Sequence, residues 1–403
     1  MKLFKGNIGL KILSVAVIAL IIAAGCKQKT TKNTNNFKSE IDSIGIVWVP
    51  DLREGIFEAE LHQDGTDLIL KGETSVPEAK DAITGLLRQK RISFIDSLKV
   101  LPDVSEISEP WGLVNVSVCN IRLFSTHDAE MVSQALMGTP VKILKKDKGW
   151  FLIQTPDLYL GLVDSDAIET KGVSEYDKWK ASLRLFYTAK TGNIYTGTSE
   201  EKVISDIVAG CIVEITGNQK EGYRVNLPDG REGFIPLDKA ILLDKLTVEA
   251  FLNPQNLVST AESFMGIPYM WGGTSAKGFD CSGFIKTVYY LNGVILSRDA
   301  SQQFQHGIRP RIRRESFPDS LKKGDLLFFG SSRHGRPRAT HVGMYIGNTE
   351  FIHCSGMVRI NSLDSTRTNF SRSRRDSFIG VRRVAGAQSG PGMQPVSEHS
   401  WYK

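Results

Sequence analysis

PYMWGGTSAKGFDCSGF, residues 268–284, is a turn-rich approach to a helix whose first turn holds Cys281. Asp280 stands where a side-chain oxygen can cap that helix. Phe284, Ile285, Val288 and Leu291 then recur at helical spacing, and Gly293 stops the run. A helix start presents unpaired N–H groups and the positive end of the helix dipole. Both lower a thiol's pKa, and the N–H groups can also hold an oxyanion. Cys281 is therefore equipped to be a nucleophile; the alternative is a buried structural cysteine.

A thiolate needs a base, and the base needs an orienting partner. Downstream, DLLFF (325–329), HVGMYIG (341–347) and EFIHCS (350–355) read as strands. Gly347-Asn348 reads as the turn of a hairpin. Pairing about position 347 sets His341 opposite His353 on one face, as a base and its orienter would stand. Cys354 then points into the opposite layer. A metal site made of Cys281, His341, His353 and Cys354 is the competing reading, and strand alternation keeps those four from converging. His306 and His334 sit on no periodic strand. Upstream, Leu257, Ala261, Phe264 and Met265 mark the face of another helix. The order of helix, Cys-bearing helix and His-bearing antiparallel strands predicts a papain-like α+β domain over 247–387. The Gly-, Ser- and Pro-rich residues 388–403 read as a flexible tail.

Ahead of this domain lies an internal repeat. MGTPVKILKKDKGWFLIQTPDLYLGLV aligns with AGCIVEITGNQKEGYRVNLPDGREGFI, matching Gly138 with Gly210, Val141 with Val213, Trp150 with Tyr223, Pro156 with Pro228 and Gly161 with Gly233. Short alternating strands broken by turn residues predict two small β-barrels, over 111–170 and 180–245. Residues 38–110 read as a small α+β unit with a strand-like IGIVWV (44–49), alternating DLILKG, and a helix from Pro77 to about Lys90. Nothing in that unit suggests a function.

Lys2, Lys5 and Lys11 precede the apolar run LSVAVIALIIAA (13–24), which ends in Ala-Gly-Cys. The run is short for a membrane span, and its flanks are those of a secretory signal. Small residues before Cys26 resemble the bacterial lipoprotein signal, although Ala23 stands where Leu or Val is usual. The resemblance implies removal of 1–25, diacylation of Cys26, and an exported protein held at the periplasmic face of a membrane, with 26–37 as a polar tether. Loss of the three lysines removes half of the formal +6, which argues against a nucleic-acid partner. The arginines at 309–314 and 372–383 then read as solvated faces. The remaining cysteines, 119, 211, 281 and 354, show no close pairing that would suggest a disulfide framework.

PYMWGGTSAKGFDCSGF, KKGDLLFF, THVGMYIG and FIHCSG, in this order over about 255–360, resemble the NlpC/p60 family of bacterial cell-wall cysteine peptidases. The resemblance implies Cys281 as nucleophile, His341 as base and His353 as the third, polar member. Tyr269 is implied as an oxyanion-site hydroxyl, with wall packing as its alternative. No metal or organic cofactor is required. Two Src-homology-3-like domains before the catalytic domain resemble the subgroup of γ-D-glutamyl-L-diamino acid endopeptidases, or dipeptidyl-peptidase VI. Its substrates are peptidoglycan-derived peptides, cut after D-glutamate and bound by a free N-terminal L-Ala. Glu130, Tyr159 and Asp299 match the amine-binding positions, and Trp271 lines the same pocket. Asp280, Ser282 and Ser301, beside these motifs, complete the expected substrate-binding set. A monomer is expected. Two other readings stay open: an autolysin cutting intact wall, and a non-catalytic wall-binding lipoprotein.

Overall fold

The computed structural model describes residues 31–198, 202–218, 220–247, 253–312, 320–333, 335–390 and 392–403. Cys26, the apolar run before it and His334 lie outside them. Among the described residues no helix is long and apolar enough to cross a membrane.

The N-terminal unit corrects two expectations. Thr31–Trp48 is one helix, so IGIVWV is not a strand and the polar stretch before it does not continue as a tether to residue 37. Phe37 and Ile41 are buried four residues apart, Ile44 packs against the same cluster, and Ile46 and Val47 face solvent. That is the 3.6-residue period, and a short apolar run alone does not distinguish it from a strand. The helix packs with Pro77–Gln89 on a three-stranded sheet whose last strand, Ile95–Val100, runs parallel to the middle one.

Two seven-stranded antiparallel β units follow, spanning 111–171 and 184–242. Gly138 and Gly210 take positive φ of 74° and 96° at the same point of each repeat. A Cβ on Gly138 would meet the Ile212 carbonyl oxygen at 1.9 Å, so glycine is what lets the two units pack directly.

In the last unit the helices Pro254–Ser263 and Cys281–Tyr290 pack on a five-stranded antiparallel sheet. Its order is Met357–Ser362, Glu350–Ser355, Arg336–Gly347, Leu326–Arg333 and Phe378–Arg382. Phe284, Ile285 and Val288 meet Phe328, Val342, Met344 and Ile352 in its core. Leu257, Ala261 and Phe264 are buried as their spacing implies. Met265 is exposed instead, because the helix ends at Ser263 and the chain turns at Gly266. The multidomain papain-like layout with β-barrel domains ahead of it is the fold expected.

Residues 388–390 and 392–403 are not a loose tail. Met393–Pro395 pairs with Val294–Leu296, and the Tyr402 carbonyl accepts a hydrogen bond from Arg184. Tyr402 is buried against Tyr176 and Trp179, so aromatic burial orders a segment whose composition suggested disorder. The 372–383 arginines are not all solvated either. Arg382 is 4% exposed and lies 4.0 Å over the Phe304 ring, while Arg383 pairs with Asp325.

Candidate active site

Cys281 opens its helix behind Asp280, whose extended backbone and carboxylate form the cap, accepting from Gly283 N at 2.7 Å. Two glycines make the approach possible. A Cβ on Gly283 would sit 2.0 Å from the Gly273 carbonyl oxygen, and one on Gly272 (φ +76°) would sit 2.4 Å from that of Met131. The WGG turn is thereby pressed against the first barrel. Gln134 of that barrel secures it further, accepting from Thr274 N and Ser275 Oγ at 3.0 Å each.

Cys281 is 9% exposed. Burial pushes its thiol up to about 11, and Asp280 adds to the rise. The N–H groups of Val342 and Ser282 and the Arg298 guanidinium oppose that rise, and they are the groups that would stabilise a thiolate as it forms.

His341 and His353 meet through a 2.7 Å contact between Nε2 of the first and Nδ1 of the second, with rings perpendicular. Their register differs from the expected one. The turn is Asn348-Thr349, both at positive φ, and a bulge follows Tyr345, so Tyr345 faces Phe351 and Met344 faces Ile352. His353 therefore stands across from Gly343, and His341 is its diagonal neighbour on the same face. Gly343 gives the imidazole room: a Cβ there would lie 3.0 Å from that of His353.

The protons on this chain of rings follow from its far end. Asn361 Nδ2 donates to the Asn369 carbonyl at 2.9 Å, which leaves Asn361 Oδ1 to accept from His353 Nε2 at 2.9 Å. His353 Nδ1 is then an acceptor, His341 Nε2 a donor, and His341 Nδ1 the unprotonated nitrogen. Burial, with Arg374 and then His353 adding to it, holds His341 well below its ordinary value. Burial likewise depresses His353 to about 4, against a raising contribution from Asn361. Burial thus favours the neutral forms of both the thiol and the imidazole. Asn361 carried no signal in the sequence, since a lone asparagine on a strand has no periodic meaning.

One cleft of about 350 Å³ is lined by Cys281, His341, Tyr269, Trp271, Glu130, Tyr159, Asp280, Ser282, Asp299 and Ser301. All the expected catalytic and substrate-binding residues except His353, which stands behind His341, face it. Tyr269 is about a third exposed beside the thiol, and burial pushes it up to about 12. Trp271 is 62% exposed and donates its indole N–H to Glu130 Oε1 at 2.7 Å. Tyr159 is buried, with its hydroxyl 3.4 Å from Asp299 Oδ2.

Asp280 and Ser282 line the cleft and also brace it. Asp280 accepts from Gly272 N at 3.1 Å and forms a buried ion pair with Arg298. Ser282 Oγ donates to Asp280 and accepts from Arg298 at 3.1 Å. Arg298 is 1% exposed and also donates to Ser133 of the first barrel at 3.1 Å. An arginine beside Asp299 in a loop reads as solvated, so nothing in the sequence marked it.

A papain-like domain with a helix-start cysteine, a polarised histidine pair and a cleft walled by a β-barrel defines a cysteine-histidine hydrolase. The NlpC/P60 family model matches residues 266–375, and that for the bacterial dipeptidyl-peptidase Sh3 domain matches residues 123–168. Dipeptidyl-peptidase 6 of Lysinibacillus sphaericus is 30% identical over 59% of this chain and 85% of its own length. The γ-D-glutamyl-L-lysine dipeptidyl-peptidase of Bacillus cereus is 28% identical over 64% of this chain and 78% of its own. A crystal structure of an NlpC/P60 family protein from Bacillus cereus superposes with a TM-score of 0.57 at 22% identity, covering 68% of this chain and 99% of that one. The chain belongs to the NlpC/P60 family and is a peptidase.

Proposed function

We propose that this peptidase hydrolyses the amide between D-glutamate and the following diamino acid in peptidoglycan-derived peptides that carry a free N-terminal L-Ala. Cys281 attacks the γ-carbonyl, His341 Nδ1 takes the thiol proton and returns it to the leaving amine, and water then releases the acyl group. His353 and Asn361 hold the His341 tautomer. The helix-start N–H groups, with the Tyr269 hydroxyl, receive the oxyanion. The observation that carries the reading is the acidic part of the lining of the cleft that holds Cys281. Glu130 and Tyr159 of the first barrel and Asp299 of the catalytic domain line it together, with the Tyr159 hydroxyl 3.4 Å from Asp299 Oδ2. A carboxylate pair with a phenol suits a free ammonium and rejects an acylated amine. The same feature weighs against an autolysin, whose substrate amine is tied to the glycan strand.

The N-terminal segment supports export and anchoring through a lipid on Cys26. An exported, membrane-held peptidase meets such peptides once an amidase has freed them. Mass spectrometry of products from L-Ala-γ-D-Glu-L-Lys and its N-acetyl form tests the reading. The free peptide should yield L-Ala-D-Glu and lysine, the acetylated one should be cut slower by orders of magnitude, and Cys281→Ala should cut neither while keeping its fold. Equal kcat/KM for the two peptides would move the reading to a wall-cutting autolysin.

A further inference from the structure

Residues 51–54, between the N-terminal helix and its sheet, are fastened to both walls of the cleft. The Arg53 carbonyl accepts from Leu160 N at 2.8 Å, and the Glu54 carbonyl from Gln154 Nε2 at 2.7 Å. Gln302 Nε2 donates to Asp51 at 3.1 Å and to Glu54 at 2.7 Å. This seat aims Arg53 into the cleft. Its guanidinium is held by Asp51 through Nε at 2.8 Å and Nη2 at 2.5 Å, and its Nη1 donates to Asp299 Oδ2 at 2.6 Å and Ser301 Oγ at 3.1 Å. The oxygen it reaches is the one that Tyr159 also touches. A cation of this same chain therefore stands on the carboxylate offered to the substrate's ammonium.

Resting on the amine subsite proposed above, we propose that Arg53 is a specificity-determining residue, a tethered guanidinium that the substrate's N-terminal ammonium must displace from Asp299. Three features support exchange over permanent occupancy. Arg53 keeps its Asp51 chelate when it leaves Asp299, so it is never stranded as an unpaired cation. Its side chain is 41% exposed, which leaves room to swing. Asp51 and Asp299 together carry one more charge than Arg53 neutralises, so the cluster still attracts a second cation. The consequence is selective. A ligand with no cation here cannot replace the guanidinium and meets a subsite already filled, whereas a free amine gains Asp299, Tyr159 and Glu130 together. The N-terminal unit thus has a part in the site although it holds no catalytic residue.

The test is steady-state kinetics of the full chain on L-Ala-γ-D-Glu-L-Lys. Arg53→Gln removes the charge and keeps a donor toward Asp299; Arg53→Met removes both. Each should lower KM by about 1.5-fold to fivefold at unchanged kcat, the range for a partly exposed ion pair. Arg53→Lys, which keeps the cation, should stay near the wild-type KM. Thermal unfolding of each variant reports whether the loop stays seated, and if Arg53→Met loosens it, Arg53→Gln decides. A KM that is unchanged or raised in Arg53→Gln overturns the proposal. Equal turnover of free and N-acetylated peptide by the wild-type chain would remove the amine subsite itself and this proposal with it. A wild type that discriminates while Arg53→Gln leaves KM unmoved removes only the role of Arg53.

Discussion

Gly343→Ala isolates the diagonal contact between the two histidines. Gly343 takes no left-handed φ, so alanine costs nothing in backbone strain and the effect is one of space alone. The new methyl would lie 2.9 Å from Phe351 Cδ2, 3.0 Å from His353 Cβ and 3.2 Å from the Ile352 carbonyl oxygen. Carbon atoms rest about 3.5–4.0 Å apart, so neighbours must retreat by about 0.5–1 Å. Phe351 can tilt, but His353 Cβ is fixed to the strand, and moving it moves the ring. The 2.7 Å bond to His341 then lengthens to about 3.2–3.7 Å, at or past the limit of a hydrogen bond. Overpacking of this kind costs about 1–3 kcal/mol of stability. Misplacing a catalytic base by such a distance lowers kcat by about 10²-fold. Hydrolysis of the free tripeptide at saturating substrate, beside a thermal melt and the rate of Cys281 alkylation, reads these separately. kcat should fall with KM little changed and alkylation slowed. Wild-type kcat in a stably folded Gly343→Ala variant would refute the idea that the histidine contact orients the base.

Arg298→Leu leaves the Asp280 carboxylate buried without its counter-ion, and the catalytic domain should lose about 3–5 kcal/mol by denaturant unfolding. Arg298→Leu combined with Asp280→Asn should recover part of that loss, and a single variant within 1 kcal/mol of wild type would show that the pair is dispensable. His353, depressed to about 4 in the folded chain against 6.5 when exposed, takes up its proton in the unfolded chain first. Its contribution is therefore whole above pH 6.5 and is lost as pH falls through 4, so stability should decline between those values, and less steeply in His353→Gln. Identical pH slopes for the two proteins would count against that burial effect. Chelators should leave turnover unchanged while iodoacetamide removes it, and zinc-restorable loss on EDTA treatment would contradict a thiol-only mechanism.

Local chemistry was legible in the sequence because it is written at short range. The cap at Asp280, the helix behind Cys281, the stop at Gly293 and the alternation carrying His341 and His353 each depend on neighbours within a few residues. The same is true of the repeated Gly138 and Gly210. Even the shared face of the two histidines followed from strand parity, which survives a shift of two residues. The tertiary structure decided what depends on the exact register or on a distant partner. A bulge after Tyr345 set His353 across from Gly343, a position that alternation does not encode. The helix at 31–48 was chosen by a core that Phe37 and Ile41 share with a sheet not yet formed. The C-terminal residues became ordered only because Tyr176 and Arg184 wait for them on another unit. Arg298 and Arg53 look like any surface arginines, since charge is read as solvated until a carboxylate closes on it. The partner of Arg53 lies 246 residues away, and no periodicity in the chain reaches that far.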